Sequence, residues 1–168
     1  MKKKNSLTGS VLTAVYEPFH FQNIINDLKN MGLKVTVVNN YDDTVIESKN
    51  GFDLTILSTL MYGSKKIKKY SPDKQIIKDL LPELRSSGKK FLVLANQPTD
   101  AGEIAKDKYC LGSFQMSDVY CSPKIITKTV IKFFNYKNRT KNETPKDSTT
   151  RRSSSSNHRT AHKKSSQK

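Results

Sequence analysis

The side chains that could carry out chemistry are few, and the sequence does not group them. Asp42 and Asp43 begin a segment of helical character, where acidic groups suit the positive end of the helix dipole. Asp53 opens an apolar, strand-like segment, and Glu17 stands alone before Pro18. Because Mg²⁺ prefers several oxygen ligands, an isolated carboxylate such as Glu17 or Asp53 is not expected to bind it. We therefore expect no metal site, no cofactor and no catalytic residues, and we predict that the protein is not an enzyme.

Histidines and cysteines are equally scattered. His20 has an aromatic neighbour on each side, and its imidazole could act as a base or ligand, although a lone histidine is more often a surface or packing residue. His158 and His162 lie four residues apart in a polar segment with no sign of structure. Cys110 and Cys121 fit neither a metal-ligand spacing nor a disulfide framework, so we expect two reduced thiols.

Basic residues dominate the charge of the chain. The sequence has 30 Lys and Arg against 15 Asp and Glu, which gives a formal net charge of +15. Such an excess favours polyanions, namely nucleic acid, anionic lipid or an acidic protein face, although a run of charges is often only a solvated loop. The candidate contacts are Lys65, Lys66, Lys68, Lys69, Arg151, Arg152, Lys163 and Lys164.

Apolar segments with strand patterns alternate with segments of helical periodicity. Strand patterns occupy residues 11–16, 34–39, 52–57 and 90–95, with a weaker fifth at 117–121. Helical patterns occupy residues 18–31, 42–49, 76–87, 100–107 and 124–134, and Pro82 is expected to disturb the third of them. Five such repeats predict a parallel sheet covered on both faces. Right-handed crossovers leave the flavodoxin-like (βα)5 three-layer sandwich, with strand order 2-1-3-4-5, as the expected α/β fold.

The composition predicts three regions. Residues 1–9 form a basic N-terminal extension, residues 10–136 form the domain, and residues 137–168 form a disordered basic tail rich in Ser and Thr. Beyond Tyr136 the sequence has no Val, Ile, Leu, Met or Phe, so this part cannot bury a core. No stretch approaches the roughly 18 apolar residues of a membrane span, and no signal peptide is evident, so the cytoplasm is the expected location.

The ordered set of these segments resembles the receiver domain of two-component response regulators. Residues 11–18, followed by an amphipathic helix that ends in Met-Gly-Leu, resemble the first strand and helix of that family. Residues 51–63 resemble the segment around the phosphorylated aspartate, and residues 120–123 resemble the end of the last strand. The resemblance covers about residues 10–134 and implies the same flavodoxin-like fold, with functional residues at the carboxyl ends of the strands.

The positions that carry chemistry in a receiver differ here. The resemblance places the acidic pair that holds Mg²⁺ on Val15 and Tyr16, which leaves Glu17 as the only acid beside them. The phosphoacceptor aspartate corresponds to Ser58, and a serine hydroxyl is a poor nucleophile without an adjacent base. The remaining switch positions correspond to Ala95 and Ser122, with Lys124 two residues later. The resemblance therefore implies a pseudo-receiver that has lost aspartyl phosphorylation.

Three functions are consistent with these observations. The first is a signalling module that docks on a protein partner through its last strand and helix, as in phosphorelay-type regulation. The second is a nucleic-acid-associated protein that binds weakly through its basic tail, which could also be a phosphorylated regulatory segment or an inert one. The third is a flavodoxin-like enzyme whose small-molecule pocket is lined by Tyr16, Ser58, Tyr62 and Asn96.

Overall fold

The computed structural model describes residues 6–64 and 71–142, and no helix within these ranges is long and apolar enough to cross a membrane. The strands are β1 (Ser10–Ala14), β2 (Lys34–Val38), β3 (Leu54–Ser58), β4 (Lys90–Ala95) and β5 (Cys110–Gln115). They form one parallel sheet in the order β2-β1-β3-β4-β5. This order confirms the predicted flavodoxin-like α/β topology.

Helices cover both faces of the sheet. They are a 3-10 turn (Pro18–Phe21), α1 (Gln22–Asn30), α2 (Tyr41–Ser48), α3 (Pro72–Gln75), a π-helical turn (Ile76–Leu80), α4 (Leu81–Ser86), α5 (Pro98–Ile104), α6 (Met116–Cys121) and α7 (Lys124–Asn142). Apolar residues of α1 and α7 pack on one face of the sheet. Those of α2, the 76–84 stretch and α5 pack on the other. The central strands are apolar on both sides because neither face meets water.

The predicted fifth strand is wrong in position. Residues 116–121 form the short helix α6, and the strand precedes it as β5. β5 contains Gly112, Ser113 and Gln115 and is only partly buried because it lies at the edge of the sheet, so its sequence lacks a continuous apolar run. Within residues 117–121 only Val119 is buried; it lies three residues after Met116, and this spacing places both on the buried side of α6.

The helical stretch between β3 and β4 changes its hydrogen-bond pattern just before Pro82. Proline has no backbone N–H, so at position 82 it cannot donate to the carbonyl four residues earlier. The N–H of Leu81 instead bonds the carbonyl of Ile76, which is the five-residue spacing of a π turn. Pro82 then occupies the first turn of α4, where its missing N–H is tolerated. The disturbance of the helix that was expected at Pro82 therefore takes the form of a π turn at residues 76–80, just before the proline.

Both ends of the domain extend beyond the boundaries expected from composition. Leu7 is buried, and its N–H bonds the carbonyl of Met31 at 2.8 Å. α7 continues six residues past position 136 to Asn142, and the amine of Lys137 forms an ion pair with the carboxylate of Asp53. Residues 1–5 and 143–168 lie outside the described residues, so the basic extension and the disordered tail remain predictions there.

Candidate site at the carboxyl ends of the strands

Ser58 is the last residue of β3, and its side chain is fully buried. Its hydroxyl donates to the carbonyl of Leu60 at 2.8 Å and accepts from the N–H of the same residue at 3.1 Å. The hydroxyl oxygen also lies 3.9 Å from the sulfur of Met116. Ser58 therefore closes the turn after β3 and packs against the start of α6, and its hydroxyl does not face solvent.

The residues at the ends of the neighbouring strands are also buried. Val15 and Ala95 are completely buried, and the N–H of Val15 bonds the carbonyl of Val38 at 3.0 Å, which prolongs the pairing of β1 with β2. Thr59 is also buried, and its hydroxyl accepts from the N–H of Asn96 at 2.9 Å. Two of the positions that the resemblance equates with acidic or hydroxyl groups, Val15 and Ala95, thus hold apolar side chains that are part of the core.

Tyr16 and Tyr62 form an aromatic pair above these strand ends. Their ring centroids lie 4.5 Å apart at an interplanar angle of 42°. The side-chain hydrogen bond between them is the largest cause that raises the pKa of Tyr16 above its usual value. The N–H of Tyr62 bonds the carbonyl of Asn39 at 3.3 Å, and its carbonyl accepts from the N–H of Tyr41 at 2.8 Å. These bonds fasten the loop after β3 to the end of β2.

Glu17 is paired with His20 at the surface. The carboxylate of Glu17 lies 2.7 Å from the Nε2 atom of His20, and both side chains are about half exposed. The ring of His20 also meets the ring of Tyr120 edge-on, with centroids 5.8 Å apart. Partial burial is the main cause that raises the pKa of Tyr120, and the charge of Glu17 adds to it. The acid left beside the strand ends therefore forms an exposed surface pair.

Ser122 and Lys124 do not follow a strand. Ser122 follows α6 as its C-cap residue, with its N–H bonded to the carbonyl of Asp118 at 2.8 Å, and Lys124 is the exposed first residue of α7. The expectation that they follow the last strand is wrong, because that strand ends at Gln115. The residue after Gln115 is Met116, whose sulfur contacts Ser58. Sequence reasoning missed this methionine because it placed the fifth strand too late in the chain.

A surface pocket of about 540 Å³ lies beside the aromatic pair, at the end of β2. It is lined by Asn39, Asn40, Asp42, Asp43, Tyr62 and Gly63. The side chain of Asn40 caps α2 by accepting from the N–H of Asp43 at 2.9 Å, which confirms that Asp42 and Asp43 begin a helix. Asp42 accepts a hydrogen bond from the hydroxyl of Ser64 at 2.6 Å. Asp42, Asp43 and Tyr62 were identified separately from the sequence, and the fold brings these three to one pocket.

The residues expected to line a small-molecule pocket and those expected to contact polyanions have different outcomes. Of the four residues expected to line a small-molecule pocket, Tyr62 lines the one at the end of β2, and Ser58 is buried away from solvent. The ring of Tyr16 contacts the ring of Tyr62 at a tilt. Asn96 is exposed beyond β4. The candidate polyanion contacts at positions 65–69, 151–152 and 163–164 lie outside the described residues, as do the two histidines of the tail. Within residues 6–64 and 71–142, no three His, Cys, Asp or Glu side chains are grouped to hold a metal ion.

The two cysteines are expected to differ in reactivity. Burial is the main cause that raises the pKa of Cys110, whereas Cys121 is exposed at the end of α6. Because the thiolate is the reactive form, an aromatic disulfide reagent at pH 7.5 should modify Cys121 at least about tenfold faster than Cys110. The reaction is followed by absorbance, and C121S should abolish the fast phase. Two equal rates in the native protein would contradict this assignment.

The comparisons with known proteins point to a distant structural likeness. No family model matches the chain, and no curated protein matches it. Among solved structures, the chain is similar to the receiver domain of the Francisella response regulator 1452. The two are 17% identical, the match covers 73% of this chain and 98% of that chain, and the TM-score is 0.45. The assignment of the fold therefore rests on the strand order and the layers described above.

Proposed function

We propose that this protein is a receiver-like signalling module that docks on a protein partner and does not use aspartyl phosphorylation. The single observation that carries this proposal is the full burial of Ser58, the residue that the resemblance equates with the phosphoacceptor of a receiver. The flavodoxin-like strand order and the ordered resemblance of residues 10–134 support the receiver-like part of the proposal.

The surroundings of Ser58 argue against phosphoryl transfer on physical grounds. A hydroxyl becomes a nucleophile when a nearby base accepts its proton. The hydroxyl of Ser58 donates that proton to the carbonyl of Leu60, which is not a base. Val15 and Ala95, buried at the adjacent strand ends, offer no oxygen side-chain ligand for Mg²⁺. The protein is accordingly proposed to be non-enzymatic and to act in the cytoplasm through contact with its partner.

The outer side of β5 and α7 is the proposed docking face. A surface hollow of about 300 Å³ lies there, lined by Leu111, Thr129, Lys132, Phe133 and Tyr136. Tyr136 is 70% exposed, and aromatic side chains held on a rigid helix are frequent anchors of protein interfaces. β5 is also an edge strand, so one side of its backbone is not paired with another strand of the sheet.

An NMR titration of the full chain with Mg²⁺ and then beryllofluoride, a phosphoryl mimic, tests the proposal. We expect no chemical-shift changes at the backbone amides of Ser58, Thr59 and Glu17, because a buried hydroxyl without acidic neighbours binds neither ion. A conventional receiver domain under the same conditions is the control and should respond. Saturable changes that require Mg²⁺ at these amides would show that a phosphoryl switch remains, and would overturn the proposal.

A further inference from the structure

α7 has a charge composition unlike that of any other described helix. Its 19 residues include six basic residues and no acidic one. The basic residues are Lys124, Lys128, Lys132, Lys137, Arg139 and Lys141. On the opposite face of the sheet, α2 carries three acidic residues and no basic one, and α5 carries two acidic residues and no basic one. The charge of these helices is therefore segregated between the two faces of the sheet.

Four of the basic side chains share one exposed face of α7. Lys124, Lys128 and Lys132 follow one another at intervals of four, and Arg139 comes seven residues later. With 3.6 residues per turn, the four lie within an arc of about 80° and span about 22 Å along the helix axis. All four residues are exposed. They define the basic face of α7.

The opposite side of α7 holds the helix on the domain. Ile126, Val130 and Phe134 are fully buried against the sheet. Lys137, which is not part of the basic face, pairs with Asp53 beside the start of β3. The helix is therefore held on the sheet from Ile126 to Lys137, and the basic face presents a row of cations on a rigid support.

A linear row of cations is suited to contact with a row of phosphates. The three lysines follow at steps of about 6 Å and Arg139 lies about 10 Å beyond Lys132, so the row spans about 22 Å, over which one strand of B-form DNA presents several phosphates at about 3.4 Å intervals along its axis. An α-helix can approach the major groove of B-form DNA, which is about 12 Å wide, whereas the major groove of A-form RNA is deep and narrow. We propose that the basic face of α7 binds the phosphate backbone of double-stranded DNA without sequence preference.

An anionic membrane fits this face less well. A helix that lies in a membrane surface inserts an apolar side between the lipids. The apolar side of α7 is already buried in the protein, and beside the basic face only Ile125, at 37%, and Tyr136, at 70%, are exposed large apolar or aromatic side chains of this helix. Binding would therefore rest on charge alone, which favours the densely charged DNA backbone.

The inference goes beyond the signalling role and does not depend on it. The sequence suggested nucleic-acid binding through the tail, whereas this proposal places a site on a folded helix. Lys132 also lines the hollow proposed for protein docking, so substitutions that test DNA binding should leave that hollow intact. Lys128 and Arg139 belong to the basic face and do not line the hollow.

Fluorescence anisotropy of a labelled 20-base-pair duplex of random sequence, titrated with the full chain at several KCl concentrations, tests the proposal. We expect K128Q/R139Q to weaken binding about tenfold at 100 mM KCl, and to reduce the slope of log Kd against log [KCl] by about 2, one per lost phosphate contact. Glutamine keeps the helix propensity of these positions, so circular dichroism and the unfolding midpoint should not change.

Two matched variants separate the basic face from net charge and from the tail. K49Q/K106Q removes two exposed lysines outside α7 and should leave the salt slope unchanged. R151Q/R152Q removes two charges of the tail, and a loss of affinity confined to this variant would overturn the assignment to α7. If K128Q/R139Q and K49Q/K106Q lost the same DNA affinity, net charge alone would explain the effect, and the assignment to α7 would also be overturned. Tighter binding to a single strand, to an RNA duplex or to phosphatidylserine vesicles than to the DNA duplex would overturn the choice of partner.

Discussion

Replacing Ser58 by aspartate should destabilise the protein by about 3 kcal/mol at pH 7 and should not create a Mg²⁺ site. The substitution introduces the residue type that the resemblance to receivers implies at this position, but it places a carboxylate where the native side chain has no exposure to solvent. A buried charge without a compensating partner costs several kcal/mol. The introduced group could accept from the N–H of Leu60 but, when ionised, could not donate to its carbonyl, and Met116 lies against the same position.

The pH dependence of this variant identifies the cause of the loss. Burial raises the pKa of the introduced carboxyl in the folded state above its unfolded value. A group with a raised folded pKa stabilises the fold most below its unfolded pKa, and that contribution is lost as the pH rises through the folded value. S58N is a neutral control of similar shape. The free energy of unfolding of S58D should therefore fall furthest below that of S58N at pH 7, and the difference should become smaller towards pH 4.

Urea unfolding of the native protein, S58D and S58N at pH 4, 5.5 and 7, with and without 10 mM Mg²⁺, measures this effect. If S58D were as stable as S58N at pH 7, or gained stability from Mg²⁺, the strand ends would have to contain an accessible site for a carboxylate. That result would contradict the proposal that phosphorylation has been lost through closure of this site.

Replacing Gly9 by alanine should lower the free energy of unfolding by about 3–4 kcal/mol. Gly9 precedes β1 with a φ of +155°, a conformation that residues with a side chain rarely adopt. A Cβ atom there would lie 2.2 Å from the Cε1 atom of Phe134 and 2.8 Å from a carboxylate oxygen of Asp53. Phe134 is fully buried, and Asp53 is held by the N–H of Ser10 and by Lys137, so neither can move aside cheaply.

A double-mutant cycle separates the steric cause from the backbone cause. F134L shortens the side chain that blocks the new methyl group. The free energy of unfolding of G9A/F134L should therefore fall by about 1 kcal/mol less than the sum of the decreases for the two single variants. G102A is the control, because a Cβ at this exposed position of α5 meets nothing within 4 Å. It should stabilise the protein by about 0.5–1 kcal/mol, since alanine favours a helix interior over glycine. A loss below about 1 kcal/mol for G9A in urea unfolding would show that the N-terminal segment is not packed as described.

Local sequence patterns were sufficient to predict most of the fold. The strands β1 to β4 are short apolar runs flanked by glycine or polar residues, and the long helices repeat apolar residues at intervals of three and four. These signals are local because a buried strand or an amphipathic helix must be apolar in its own sequence, whatever it packs against. The handedness of crossovers then leaves the order 2-1-3-4-5 as the natural arrangement. That Val15, Tyr16 and Ser58, the positions that the resemblance equates with a receiver's acids, are not acidic is also read from the sequence alone.

Features that depend on distant contacts were decided by the tertiary structure. β5 is an edge strand with weak apolar character, so its sequence did not distinguish it from the helix that follows. The burial of Ser58 depends on Met116, 58 residues away, and the ordering of the chain around Gly9 depends on Phe134 in the last helix. The basic face of α7 exists because the sheet buries the other side of that helix and leaves the four cations exposed. No local pattern contains these contacts, because they form only when segments far apart in the chain are packed together.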